Sequence, residues 1–427
     1  MIGAMRKFVV PLATAAILAA ASRPPDITFR VRMIDPGATE TTAIVDINKD
    51  GRPDIISGDS WYEAPLWKKH LIRQINFTQN YVDNFSDLAV DVDGDGYPDI
   101  VQFGYFSGNI VWLKNPGKGV GTGPEKEWVK TGIDASGPTE FAFLVDLNND
   151  GKALEILPEF DRANVPLAWF ELKDHQWVKH VVSPQSYGHG IGAGDINGDG
   201  RNDILTPKGW FEAPPHPATG EWIFHATNWE EFPATPVGRG GVAPALAATN
   251  RTQFGFMYAI DLNGDGLTDV LTTAAHDYGI YWFEQLAAEP GKEAQWVRHT
   301  IDNSWSQAHA SALVDLNGDG QADLVTGKRY MAHNGSDPGE KEPLGLYWYE
   351  YRKVPAAGRG ASANGGVEWV RHLIDYGSRM GAGLQIRVAD IDGDGDPDIV
   401  AGGKSGLFIA ENLTKTRPVL AGSASKK

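Results

Sequence analysis

Residues 261–269 read DLNGDGLTD, and this nine-residue stretch decides the fold. Asp261, Asn263, Asp265 and Asp269 place side-chain oxygens at positions 1, 3, 5 and 9, and Gly266 at position 6 allows a sharp turn. That spacing suits a hard cation such as Ca²⁺, with Mg²⁺ the alternative. The pattern recurs as DINKDGRPD (46–54), DVDGDGYPD (91–99), DLNNDGKALE (146–155), DINGDGRND (195–203), DLNGDGQAD (315–323) and DIDGDGDPD (390–398). The remaining expected metal ligands are Asp46, Asn48, Asp50 and Asp54; Asp91, Asp93, Asp95 and Asp99; Asp146, Asn148, Asp150 and Glu155; Asp195, Asn197, Asp199 and Asp203; Asp315, Asn317, Asp319 and Asp323; and Asp390, Asp392, Asp394 and Asp398. Each copy is entered and left by a short apolar run, such as Thr42–Val45 and Ile55–Ile56, so the context is strand–loop–strand.

Working outward from each loop, four strand-sized pieces recur. Around the fifth copy they are Phe256–Ile260, Asp269–Thr273, Gly279–Glu284 and Trp296–Ile301. The third piece repeats as Trp-Tyr/Phe-Glu at Trp61, Trp169, Trp210, Trp282 and Trp348. The fourth repeats as Trp-x-x-His, ending at His70, His180, His225, His299 and His372. Histidines that recur in phase are expected to build blades rather than a site. Four strands per unit in seven units predict an all-β, seven-bladed β-propeller over 23–413. The last unit lacks a fourth strand, whereas ITFRVRMID at 27–35 resembles the fourth pieces WVRHTID and WVRHLID. The N-terminal strand is therefore expected to complete the last blade and close the ring, leaving no open sheet edge.

The formal charge is −17, and much of it sits in the seven loops, so seven divalent ions would nearly cancel it. With no basic stripe, a nucleic-acid partner is not expected. Residues 1–22 read as an export leader: Arg6 and Lys7, an apolar run Phe8–Ala20, and small residues before Ser22. The run is too short for a membrane span, so a secreted or periplasmic protein is expected. Residues 414–427 read as a disordered tail. The chain has no cysteine, so neither a disulfide nor a thiol nucleophile is available.

The acidic loops in their strand context resemble the FG-GAP or VCBS repeats of integrin-type propellers, over nearly the whole mature chain. Three stretches are similar to the propeller domain of the aldos-2-ulose dehydratase family: GHGIGAGDINGDGRNDILTPKGWFE (188–212), VTGKRYMAHNGSDPG (325–339) and AGLQIRVADIDGDGDPDIVAGGKSGLF (382–408). That family eliminates water from keto-sugars, and the resemblance implies a carbohydrate substrate. Its fungal member has further cupin-like domains; no counterpart of these is expected here.

In a propeller the first strand of each blade lines the channel, which puts the acidic loops on the face away from a pocket. The cations are thus expected to be structural. Six residues before each motif stand Glu40, Phe85, Glu140, His189, Gly255, His309 and Leu384. Two carboxylates and two imidazoles on one ring suit proton transfer. The loops between second and third strands add Asp161, Arg162, Lys208, His276, Asp277, Tyr278, Lys328, Arg329, His333, Asp337 and Lys404 on the same face. No nucleophile elbow, HExxH, phosphate loop or dinucleotide fingerprint occurs, so no organic cofactor is expected.

The resulting expectation is a carbon–oxygen lyase. His189 or His309 acts as base, Lys328 and Arg329 steady the oxyanion, and Glu40 or Glu140 orients the base or protonates the leaving hydroxyl. Substrate contacts are assigned to His276, Asp277, Tyr278, His333, Lys208, Lys404, Asp161 and Arg162. In a variant, the His and Glu groups hold a divalent metal. The alternative function is a non-catalytic sugar-binding, adhesion or protein-interaction propeller.

Overall fold

The computed structural model describes residues 26–135, 137–160, 162–231, 253–289, 292–353 and 366–415. The leader at 1–22, nearly all of the 414–427 tail, and Asp161 lie outside them. The described chain is all-β apart from one turn of 3₁₀ helix at Trp229–Glu231.

Each motif joins the first two strands of an antiparallel four-strand meander. The fifth runs Phe254–Ile260, Asp269–Ala274, Tyr278–Leu286 and Gln295–Ser306. The last sheet takes its outer strand from the other end of the chain: Phe29–Asp35 pairs antiparallel with Gly406–Asn412, Phe29 opposite Asn412 and Val31 opposite Ala410. Arg30 seals that pairing with a bidentate contact to Glu411 at 2.7 and 2.6 Å.

The expectation of seven separate blades is corrected. Five four-stranded sheets stand free, and the meanders of the fourth and fifth motifs are fused into one eight-stranded sheet. The join is a parallel pairing of Ile191–Gly194 with Phe254–Ile260, Gly192 opposite Met257. Its cause is local. A Cβ on Gly192 would lie 1.9 Å from the Met257 carbonyl oxygen, and one on Gly194 would lie 2.5 Å from the Ala259 Cβ. With no Cβ at those two positions the backbones come close enough to hydrogen-bond.

Two recurring devices hold the meanders, the second of them in five of the seven. The position-nine acid is buried and works as a buckle. In the fifth motif, Leu262 N–H donates to Asp269 Oδ2 at 3.0 Å and Gln285 N–H to Oδ1 at 2.9 Å, tying the loop to the end of the third strand. Asp54 does the same with Ile47 and Ala64, and Asp99 with Val92 and Asn115. Burial pushes the Asp54, Asp203, Asp269, Asp323 and Asp398 carboxyls up to about 7 despite these bonds.

The second device is the outer histidine. His299 stacks on Trp282 (ring centroids 4.3 Å apart) and bonds Glu284 Oε2 through Nε2 at 2.7 Å. Glu284 Oε1 in turn accepts from Asn263 of the acidic loop at 3.2 Å. His70, His180, His225 and His372 repeat the arrangement on Trp61, Trp169, Trp210 and Trp348. Their shared partner is the Glu of Trp-x-Glu on the adjacent strand, and His70 and His225 also bond a loop glutamate through Nδ1, Glu125 at 3.0 Å and Glu293 at 3.2 Å.

Candidate functional site

Three of the residues six places before a motif meet in one buried cluster: Glu140, at the start of the strand Thr139–Val145; His189, just before Ile191–Gly194; and His309, just before Ser311–Val314. A fourth member, His276, comes from the turn between Asp269–Ala274 and Tyr278–Leu286. All four are buried.

The three imidazoles turn Nε2 inward. His276 Nε2 lies 3.1 Å from His189 Nε2 and 3.3 Å from His309 Nε2. Glu140 places Oε2 3.0 Å from His189 Nε2 and Oε1 3.7 Å from His309 Nε2. Two tautomers are set from outside the cluster. His189 Nδ1–H donates to the Phe254 carbonyl at 2.7 Å, and His276 Nδ1–H donates to Asp337 Oδ2 at 2.8 Å. In the neutral rings both Nε2 lone pairs then face each other. Gly190 allows the first bond: its φ is 133°, and a Cβ there would sit 2.8 Å from the Phe254 Cβ.

Burial favours the neutral form of two of the three rings. Burial pushes His276 down to about 4, and burial with the nearby Arg329 charge puts His309 well below its ordinary value. Burial alone would raise Glu140, but His189 and Arg329 hold it well below the usual carboxylate range. Arg329, itself buried, joins Glu40 Oε2 (3.1 Å from Nε) to Glu140 Oε1 (2.8 Å from Nη1). Three imidazoles and one carboxylate with ligand atoms within 4.8 Å of one another form a group that could hold a metal ion. Bonds of about 2.0–2.1 Å to a tetrahedral ion put ligand atoms roughly 3.3–3.4 Å apart, close to the spacings here. Carboxylate support of a ligating imidazole, as Asp337 gives His276, is the usual second layer of such a centre.

Asp337 also accepts from His333 Nδ1 at 2.9 Å, and the His333 ring stacks flat on His276 at 4.3 Å. His333 is 47 % exposed at its side chain, so this pair links the cluster to solvent. Beside Arg329 stands an aromatic wall of Tyr81, Phe85, Tyr105 and Phe106, the guanidinium lying 5.9 and 5.5 Å from the Tyr81 and Phe85 centroids.

The other expected residues fall elsewhere. Glu40 touches the cluster only through Arg329. Lys328 turns away: Nζ donates to Ser306 Oγ at 2.8 Å and lines a separate cavity. Lys404 donates to the Met331 carbonyl and lies 3.5 Å from the Tyr81 ring centroid. Tyr278 donates to Glu342 at 2.6 Å, and Asp277 accepts from the Tyr278 backbone. Lys208 is half-buried beside its own strand turn and Arg162 is exposed. The central place of His276, expected to be a substrate contact, is the feature that spacing alone did not reveal. Its signal was the polar run His276-Asp277-Tyr278 between two apolar strands.

Among the acidic loops, Asp91, Asp93 and Asp99, and likewise Asp390, Asp392 and Asp398, bring carboxylate oxygens within 4.8 Å of one another. Lys114 Nζ contacts Asp93 in the second loop.

Residues 91–157 and 261–326 match the FG-GAP-like repeat family. Among curated proteins nothing matches. Solved structures similar to the chain include BBS1N in complex with ARL6DN, at 10 % identity and TM-score 0.48, covering 91 % of this chain and 96 % of that one. The V. cholerae biofilm matrix protein Bap1 aligns at 11 % identity and TM-score 0.40, covering 92 % of each chain. A mutant Aleuria aurantia lectin in complex with alpha-methyl-L-fucoside aligns at 12 % and 0.33, covering 82 % of this chain and 96 % of that one. The chain carries FG-GAP-like repeats on an all-β propeller arrangement.

Proposed function

We propose that Glu140, His189, His276 and His309 hold a divalent transition-metal cation and that this centre eliminates water from a keto-sugar. The observation that carries the reading is the inward convergence of three Nε2 atoms, two with lone pairs fixed by outside hydrogen bonds. A cation held by these four residues would supply polarisation of a carbonyl and stabilisation of enolate charge by taking the substrate oxygen as a fifth ligand. His189 and His309 then serve as ligands, which transfers the proton-handling role to His333. That ring is half-exposed, held by Asp337, and outside the ligand set of four. Arg329 keeps Glu140 ionised and in place. The aromatic wall gives a sugar face an apolar surface and keeps water from the reacting side.

In the same reading the acidic loops hold Ca²⁺ as structural cations, residues 1–22 direct export, and the Phe29–Asp35 strand closes the ring. The test has two parts. Metal content of purified protein should approach one transition-metal ion per chain and be lost in His309→Ala. Incubation with 1,5-anhydrofructose, glucosone and 3-keto-glycosides should yield a conjugated-enone absorbance with wild type only. Full metal binding in His309→Ala, or an enone band that survives metal removal, overturns the reading. Sugar binding without any band moves the protein to the binding-module alternative.

A further inference from the structure

The sequence pairs Lys328 with Arg329, but only Arg329 serves the cluster. Lys328 is 1 % exposed, and its amine is held by the Ser306 carbonyl at 3.3 Å and hydroxyl at 2.8 Å, with Glu342 Oε2 at 3.8 Å. Burying an ammonium is costly, and nothing in the propeller scaffold requires one here. The amine lines a cavity of about 720 Å³ between the outer strand Gln295–Ser306 and the strands Gly345–Lys353 and Val367–Tyr376. That size lies within the range of small-ligand sites.

The cavity has two kinds of lining. Trp305 and Tyr347 pack at a tilt with centroids 5.1 Å apart, and Tyr376 stands at the rim, 57 % exposed. The same lining carries Lys328, Arg371 and Glu342. Each tip is pre-oriented. Arg371 Nη1 donates to Asp302 at 2.9 Å and to Ser304 at 2.7 Å, and its guanidinium lies 5.4 Å from the Tyr347 centroid. Glu342 accepts from Tyr278. Aromatic faces beside fixed donors and acceptors match a pyranose ring, with its C–H face on one side and hydroxyls on the other. Two cations are balanced by Glu342 and Asp302, so the complement is a neutral sugar rather than a uronate or sulfated one.

We infer that this cavity is a second saccharide site that binds a neutral pyranose unit of the substrate, making that substrate a glycoside of at least two residues. The inference rests on the keto-sugar reading of the metal cluster. The two sites are linked along the chain: Lys328 adjoins Arg329, Tyr278 follows His276 by two residues, and one segment carries both Asp337 and Glu342.

The experiment is saturation-transfer NMR on full-length, metal-loaded protein with methyl β-D-glucopyranoside, maltose and cellobiose as probes. At least one probe should bind. Tyr376→Ala and Arg371→Met, both at the rim, should each weaken binding at least ten-fold, while His309→Ala should stay within two-fold of wild type. No binding by any probe, or wild-type binding in both rim variants, overturns the site. Keto-glycoside turnover on the same samples separates the two ideas. Turnover with an unchanged KM in both rim variants sinks the second site and leaves the lyase intact. Rim-dependent binding without turnover keeps the site and sinks the lyase.

Discussion

Replacing Arg329 by Met tests how the cluster is held together. In wild type the guanidinium bridges two buried carboxylates, Glu40 and Glu140, at 3.1 and 2.8 Å. Removing one partner of a buried pair costs about 3–5 kcal/mol, because a charge is left uncompensated. The variant can avoid this only by protonating one carboxyl. From an ordinary Glu value near 4.3 that costs roughly 3.7 kcal/mol at pH 7 and about 1 kcal/mol at pH 5. The sign follows from linkage. A carboxyl raised in the folded variant binds more protons than in the unfolded chain, so the variant loses stability as pH rises above the unfolded value. Wild type behaves oppositely: Glu140 is depressed, and its contribution is present above the unfolded value and fades as pH falls toward the folded one. The gap between the two proteins should therefore be about 4 kcal/mol at pH 7 and narrow by roughly 2–3 kcal/mol at pH 5. Urea unfolding in chelator, followed by tryptophan fluorescence at both pH values, measures it. A gap under about 1 kcal/mol at pH 7, or one of equal size at both pH values, would refute the argument.

Asp337→Asn should keep the fold but lower transition-metal affinity about 10–100-fold, read by competition with a chromophoric chelator, because it removes the carboxylate behind His276. Gly192→Ala should destabilise by about 1–3 kcal/mol through the clash with the Met257 carbonyl, seen as a lower Tm, whereas Gly132→Ala, exposed and with open space around it, should cost less. Chelating Ca²⁺ with EGTA should lower Tm and readdition restore it. Each site filled at a hundred times its Kd contributes about 2.7 kcal/mol, and an unchanged Tm would remove the structural role assigned to the loops. Trp282→Ala should cost about 3–5 kcal/mol, while His299→Ala on the same outer stack should cost only about 1 kcal/mol, compared by denaturant midpoint.

Much of the fold was legible because its signals are local. The loops, their flanking strands and the Trp-x-Glu and Trp-x-x-His pieces each repeat within a few residues. The N-terminal strand was also readable, since Phe29–Asp35 copies the pattern of an outer strand. The fusion of two sheets was not, because it depends on what lies opposite Gly192 and Gly194, 65 residues away in sequence. The cluster was partly readable: equal spacing from the motifs brought out Glu140, His189 and His309. His276 arrives from a different strand turn, and its role is fixed by Asp337 in a distant segment, 61 residues on. The Lys328–Arg329 pair carries a simpler lesson. Neighbours at a strand end point to opposite sides, so both were never able to reach the same substrate atom.

The outer strand of the last sheet and its partner are separated along the chain by 381 residues at the Arg30–Glu411 contact. During synthesis at about 5–20 residues per second, the first strand waits roughly 20–75 s for the segment it pairs with. Throughout that interval Phe29, Val31 and Met33 lack the strand they pair with, so an edge open to wrong partners persists until Gly406–Asn412 has been made.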